Sequence, residues 1–252
     1  MFSLPIGVII NKREGQKNRA QIKSLGYDMG KIDELEKRII KKGMTDEDFI
    51  EYTKMLKRVR GGFLKRQHCY TTAIKFPLKY ADQAIKLIRY GLESFEDGWF
   101  STYTSYLYIG HIYEKTSDFE NAFASYQMAK ESLGTEHPEY VKELSKDLMW
   151  MKLHIDSFCY SQEFENYYLC YKATDDFSKS FVENEFRLAV SNLVIALHYG
   201  NMAEAKEALE KARKISKPDY IGKLYNILIR HNYKESFKTT REAKEFINNT
   251  KI

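Results

Sequence analysis

The chain has 252 residues, 43% of them hydrophobic and 30% charged, and it is long enough to bury a substantial core. Only 4 Pro and 13 Gly are present, which is too few turn-forming residues for a β-sandwich or β-barrel and favours an all-α protein. The net charge of +5 is unevenly distributed: residues 1–70 contain 16 Lys and Arg against 9 Asp and Glu, whereas the remainder contains 24 against 26. A nucleic acid or an acidic partner could bind such a basic segment.

Cysteine usage and the lack of long apolar runs predict a cytoplasmic protein. Cys69, Cys159 and Cys170 have irregular separations and fall in helical patterns, so we expect buried or half-buried free thiols in a reducing compartment. The apolar opening at 1–10 is short, is interrupted by a proline and a glycine, and precedes no small-residue cleavage site. We therefore expect neither a secretory signal nor a membrane span.

Residues 1–62 are predicted to form a basic N-terminal segment that contains short helices. One helix is expected over 16–25 and a second over 30–42, each followed by a glycine. A third helix is expected to start at Thr45, where Thr45 and Asp48 have the spacing of a capping box. Acidic residues at the start of this helix and basic residues at its end suit the helix dipole, so the basic cluster does not require a nucleic-acid partner.

Residues 106–129 carry the pattern of two helices in close contact. Gly110 on the first helix and Ala122 on the second lack bulk, while Tyr113 and Tyr126 are large enough to fill the space around them. This pattern resembles the tetratricopeptide repeat, in which a helix pair cannot bury its apolar face alone and so stacks on neighbouring copies. Stacked copies of this kind form a concave groove that binds peptides or helices.

The small-residue position of the second helix recurs along the chain. It is occupied in turn by Ala84, Ala122, Tyr167, Ala205 and Ala243. The successive spacings are 38, 45, 38 and 38 residues. We therefore predict an all-α fold in which a repeat array over 63–252 follows the N-terminal segment 1–62. The array is predicted to be a tetratricopeptide-like superhelix of helical hairpins with about five repeats.

No combination of residues in the sequence predicts catalysis, a cofactor or a metal site. The chain has no glycine-rich phosphate-binding loop that follows a strand pattern. His111 and Glu114 share one helix face, but no second His pair joins them. The adjacent His68 and Cys69 diverge on a helix, which argues against a nucleophilic pair. We therefore predict a non-enzymatic protein without a cofactor.

The concave groove of such an array is lined by the first helix of each repeat, and aligning the copies on Gly110 identifies its residues. The predicted peptide- or partner-binding residues are Leu107, His111, Lys115, Met149, Lys152, Asp156, Tyr160, Arg187, Val194 and Asn226. They combine apolar side chains with isolated charges and amides, a mixture that suits an extended peptide. The alternative is that these positions are solvated, or are covered by a terminal helix of the same chain.

Three segments resemble a known group of regulators: 105–110 (SYLYIG), 119–122 (FENA) and 198–209 (HYGNMAEAKEAL). They are similar to the peptide-pheromone receptors of Gram-positive bacteria and their phages, the RRNPP group. Within it the likeness is to the arbitrium receptors, which govern phage lysis versus lysogeny, with the Rap-type quorum-sensing regulators next. The resemblance implies a receptor that binds a short reimported peptide in its groove and dimerises through its C-terminal repeats. Binding would change the curvature of the array and so its contact with DNA or a protein partner.

Two features of the chain differ from that group. Such receptors begin with a DNA-binding helix-turn-helix domain, which residues 16–60 resemble only weakly, and His111 stands where the family has a groove asparagine. The sequence-based hypothesis is a phage or bacterial peptide-signal receptor that acts in transcription regulation. The alternatives are a scaffold or inhibitor that binds a partner helix, and a DNA-binding regulator that uses the basic N-terminal segment.

Overall fold

The computed structural model describes residues 29–174 and 182–215, and the regular secondary structure of these residues is entirely helical, as predicted. The helices are α1 (Met29–Lys42), α2 (Asp46–Arg58), α3 (Gly62–Ala73), α4 (Ala81–Ser94), α5 (Trp99–Lys115), α6 (Phe119–Leu133), α7 (Pro138–Ile155), α8 (Gln162–Lys172), α9 (Val182–His198) and α10 (Met202–Ile215). The predicted helix at 16–25 and the predicted fifth repeat, with Asn226 and Ala243, lie outside the described residues. None of the helices within the two described ranges has the length and apolar character needed to cross a membrane.

The helices α1 and α2 form where the sequence pattern predicts them. α1 ends before Gly43, and the Thr45 hydroxyl then accepts a hydrogen bond from the Asp48 amide at 3.1 Å. The Asp48 carboxylate accepts one in return from the Thr45 amide at 3.2 Å. This reciprocal pair confirms the capping box and satisfies amides that the helix itself leaves without partners. The Arg38 guanidinium of α1 donates to Asp48 and Glu51 of α2, which joins the two helices on their exposed side.

A buried tyrosine connects the N-terminal helices to the rest of the chain. The Tyr52 side chain of α2 is fully buried, and its hydroxyl donates to Glu36 of α1 at 2.8 Å and lies 3.1 Å from the Thr72 hydroxyl of α3. Burial would raise the pKa of Glu36, but hydrogen bonds from His68 and Tyr52 outweigh it, so this pKa lies below its ordinary value. Residues 29–58 therefore share one hydrophobic core with α3, α4 and α5.

From α3 onward, each helix packs against the next, and we group them as the pairs α3 with α4, α5 with α6, α7 with α8, and α9 with α10, although α6 packs against α7 as extensively as α7 packs against α8. Neighbouring pairs also touch, since α3 contacts α5 and α7 contacts α9. Two hydrophobic clusters result, one formed by α1–α5 and one by α5–α10. The partly buried Tyr106 and Tyr113 of α5 pack against both clusters, so α5 connects the two halves of the core.

The close approach within the α5–α6 pair lies at Gly110, as its lack of bulk predicts. A Cβ atom built on Gly110 would lie 2.4 Å from Cε1 of Tyr126, whose ring is fully buried. Ala84, Ala122 and Ala205, at the recurring small-residue position, are also buried. At Gly110, therefore, bulk is absent because the Tyr126 ring of α6 occupies the space.

The three cysteines are free, and two of them have the expected exposure. Cys69 is buried and Cys170 is half-buried, whereas Cys159, which was expected to be at least half-buried, is exposed. Cys159 follows the end of α7 in the turn before α8, where helix packing no longer covers the chain. Burial raises the pKa of Cys69 to about 12, so its thiol stays protonated at neutral pH.

Candidate functional site

Nine of the ten residues predicted to line a groove fall in the described part of the chain. Four of these nine are buried: Leu107, Met149, Arg187 and Val194. In α7 the five consecutive residues 147–151 are all buried, and at about 100° per residue they cover the whole circumference of a helix. The middle of α7 is therefore covered on every side by other side chains of the protein.

Arg187 of α9 is the centre of a buried ionic cluster. Its guanidinium donates to the Asp147 carboxylate of α7 at 3.0 Å and to the Glu114 carboxylate of α5 at 2.9 Å. The Arg187 side chain is 7% exposed and the Asp147 side chain 4%. The same guanidinium lies 5.4 Å from the centre of the Trp150 ring, a cation–π contact. A side chain that was expected to contact a ligand thus binds two carboxylates of its own chain, because it is long enough to reach the neighbouring helix pairs.

Two titratable groups of this cluster have shifted pKa values. Burial lowers the pKa of His111 below its ordinary value, although the negative charges of Asp147 and Glu114 act in the opposite direction. Burial alone would raise the pKa of Asp147, but the positive charges of Lys146 and Arg187 bring it below its ordinary value. At neutral pH the cluster therefore combines an ionised Asp147 with a neutral imidazole.

The other predicted groove residues lie toward the ends of helices. Lys152 pairs with Asp156 at 3.4 Å near the end of α7. Tyr160 stacks on His198 at the end of α9, with ring centres 3.6 Å apart. Lys115 is exposed at the end of α5. Among the nine described residues, four are buried and five are at least partly exposed, and ligand binding at these positions stays a prediction.

Two open depressions lie along α4 instead. The larger, of about 470 Å³, is lined by Phe49, Asp82, Ile85, Lys86, Arg89, Tyr90, Glu93 and Tyr113. The smaller, of about 140 Å³, is lined by Arg89, Tyr106, Ile109, Tyr113, Asn121, Ala124, Ser125 and Met128. Arg89 and Tyr113 line both depressions, so the two adjoin. Together they form the Arg89 groove, which combines residues of α4, α5 and α6 with Phe49 of α2.

The two cations of the groove differ in what they contact. The Lys86 ammonium is 3.3 Å from the Asp46 carboxylate and 4.7 Å from the centre of the Phe49 ring, so its charge already has a partner. Arg89 is exposed, and its Nη2 donates a long hydrogen bond of 3.4 Å to the Tyr113 hydroxyl. No carboxylate within residues 29–174 and 182–215 forms an ion pair with Arg89. The groove thus presents an accessible guanidinium beside tyrosine rings.

None of the nine predicted residues in the described part of the chain lines the Arg89 groove, which is formed by α2, α4 and α6 and by other positions of α5. A periodic pattern does mark the groove in the sequence. Asp82, Lys86, Arg89 and Glu93 recur at intervals of three or four, which places four charged residues on one face of α4. An ordinary solvated helix has the same pattern, so it does not by itself identify a binding surface.

Within the two described ranges, no three His, Cys, Asp or Glu side chains are grouped as ligands of a metal ion. No family model matches the chain, and neither does any curated protein or solved structure with which it was compared.

Proposed function

We propose that this chain is a non-enzymatic regulator that binds a short peptide in the Arg89 groove, and that its helix pairs form a tetratricopeptide-like superhelix. The observation that carries the proposal is the groove: an open surface between α4 and α6 that combines tyrosine rings with an accessible guanidinium. Peptides offer the complementary groups, which are carboxylates, amides and apolar side chains. The serial packing of four helix pairs supports the superhelix, because such series coil and create extended binding surfaces.

The narrower proposal is a receptor for a signalling peptide, as the resemblance of 105–110, 119–122 and 198–209 implies. In this receptor the peptide binds to the Arg89 groove, because Arg187 and its partners fill the space beside the first helices. Control of a phage or bacterial regulatory switch then follows if the bound peptide favours one packing of the helix pairs over another.

Affinity selection from a random hexapeptide library on the immobilised protein tests the proposal. We expect enriched peptides to raise the midpoint of thermal unfolding, because a ligand that binds only the folded state stabilises it by about 2.7 kcal/mol at a hundred times its Kd. Ala124→Trp places a large ring on the exposed lining of the groove and should abolish enrichment without disturbing the core. Ala203→Trp, at an exposed position of α10 outside the groove, is the matched control.

Three outcomes would contradict parts of the proposal. If the folded wild type enriches no peptide above heat-unfolded protein, the chain is not a peptide receptor. If Ala124→Trp enriches peptides as well as the wild type does, the binding surface lies outside the Arg89 groove. Capture of a single partner protein without any response to peptides would favour the scaffold or inhibitor.

A further inference from the structure

We infer that the smaller depression of the Arg89 groove binds the C-terminal carboxylate of a peptide whose last residue is apolar. The inference rests on the proposed function. It adds which end of the peptide binds in the smaller depression and in which direction the peptide runs along the groove. Three properties of the depression point to this occupant: its charge, its hydrogen-bond donors and its size.

The charge of the smaller depression comes from Arg89, the only charged residue among the described residues of its lining. Asp82, Lys86 and Glu93 line only the larger depression. A guanidinium that lacks a carboxylate partner among the described residues can form two parallel hydrogen bonds with an incoming carboxylate, and the opposite charges make these bonds stronger than those to a neutral group. The smaller depression therefore selects an anionic group.

The phenols beside Arg89 supply further donors. The Tyr113 hydroxyl accepts a hydrogen bond from Arg89 at 3.4 Å, so its own proton can be donated to a ligand oxygen. Tyr106 adds a second phenol to the lining. The Asp118 carboxylate, which caps α6, accepts from the backbone and side-chain amides of Asn121 at 3.2 and 2.8 Å and does not line the depression. An anion in the depression thus meets donors and no lining carboxylate.

The size and the apolar lining restrict the occupant to the end of a chain. The depression measures about 140 Å³, below the range of about 300–1,000 Å³ that is typical of pockets for a whole small ligand. Ile109 and Met128 contribute apolar surface, and the flexible Met128 side chain, 42% exposed, can adapt to an apolar residue. The preceding residues of the peptide then lie in the larger depression, which adjoins the smaller one at Arg89 and Tyr113.

The probes are peptides recovered by affinity selection from a random hexapeptide library with a free C-terminus. Each is synthesised as the acid and as the C-terminal amide, and fluorescence anisotropy gives its Kd for the wild type, Arg89→Gln and Arg58→Gln. Arg58 is an exposed arginine of α2 outside the groove, so Arg58→Gln removes the same charge elsewhere. Amidation should weaken binding to the wild type and to Arg58→Gln about tenfold, because a charge-assisted hydrogen bond is lost. Arg89→Gln should bind the acid and the amide equally.

The results that would overturn the inference differ from those that would overturn the proposed function. Equal affinity of the wild type for acid and amide removes the C-terminal site but leaves peptide binding in place. A preference for the acid that persists in Arg89→Gln assigns the carboxylate to another residue and also overturns the inference. Affinity that depends on an internal Asp or Glu of the peptide places a side chain, not the chain end, at Arg89. Recovery of no peptide contradicts the proposed function itself.

Discussion

Two arginines of this chain have opposite surroundings. Arg187 binds two carboxylates with a side chain that is 7% exposed, whereas Arg89 is exposed and contacts one phenol. Loss of Arg187 would leave the buried Asp147 carboxylate with only Lys146 as a counter-charge among the described residues, which is costly, while loss of Arg89 would expose nothing that water cannot solvate. Burial therefore distinguishes an arginine that joins three helices from one whose guanidinium is accessible to solvent.

The half-buried imidazole of His111 predicts how stability depends on pH. Burial lowers the pKa of His111 in the folded state below its ordinary value of about 6.5, so the unfolded chain takes up this proton first as the pH falls. The contribution of His111 to the free energy of unfolding is fully present above about pH 6.5 and is lost as the pH falls through the folded-state pKa. Urea unfolding from about pH 7.5 to about pH 5 should show a smaller loss of stability for His111→Gln than for the wild type. Equal losses in the two proteins would contradict this assignment.

Within helix pairs, the packing of α5 against α6 depends on Gly110. Alanine favours a helix by about 1 kcal/mol over glycine, so Gly110→Ala would stabilise an exposed helix. In this pair the added Cβ would lie 2.4 Å from the ring of Tyr126, which is fully buried and has no room to move aside. Overpacking of this kind costs about 1–3 kcal/mol, so we expect a net loss in the free energy of unfolding, measured by urea denaturation.

The partner side chain provides the control for that measurement. Tyr126→Leu opens space beside residue 110, so Gly110→Ala should cost less in the Tyr126→Leu background than in the wild type. The same cost in both backgrounds would show that Tyr126 does not limit how closely α5 and α6 approach.

Contacts inside a helix pair were predictable from the sequence, but contacts between successive first helices were not. Gly110 and Ala122 indicated where α5 and α6 meet, because steric exclusion leaves small residues at fixed positions of adjacent helices. The hydrogen bond from Arg187 to Glu114 joins residues 73 positions apart, and it depends on how three successive pairs are arranged in space. No local pattern encodes that arrangement, so Arg187 was expected in an open groove.

The sequence did not predict the Arg89 groove, for a related reason. The charged residues on its α4 side have the spacing of any solvated helix face, and Phe49 and Tyr113, which make that face concave, come from α2 and α5. A concavity built from separate helices becomes visible only when their packing is known.

Across the protein, Arg187 links three helix pairs through Asp147 and Glu114. Arg187→Met keeps much of the side-chain volume but deprives the buried Asp147 carboxylate of one of its two counter-charges. Breaking a buried pair in this way costs about 3–5 kcal/mol, and we expect the lower end because Lys146 remains 3.4 Å from Asp147. The midpoint of urea unfolding should fall accordingly.

An exposed arginine with the same number of carboxylate partners is the matched control. Arg38, whose side chain is 49% exposed, contacts Asp48 and Glu51, so Arg38→Met should lower the midpoint of urea unfolding much less than Arg187→Met does. Adding Asp147→Asn to Arg187→Met should recover part of the loss, because the unpaired charge is gone. A loss in Arg187→Met no greater than that in Arg38→Met would refute the linking role of Arg187.

Because α1 and α2 share a core with α3–α5, they cover apolar side chains of the α3–α4 pair that would otherwise contact water. Stacked-helix proteins need an end unit with one apolar face and one hydrophilic face. Residues 29–58 have this character, since Ile39 and Leu56 are fully buried in the shared core while Arg38 and Glu51 face solvent. A protein shortened to begin at residue 63 would expose the apolar side chains of α3–α5 that α1 and α2 cover. Its molecules would then self-associate through this apolar surface.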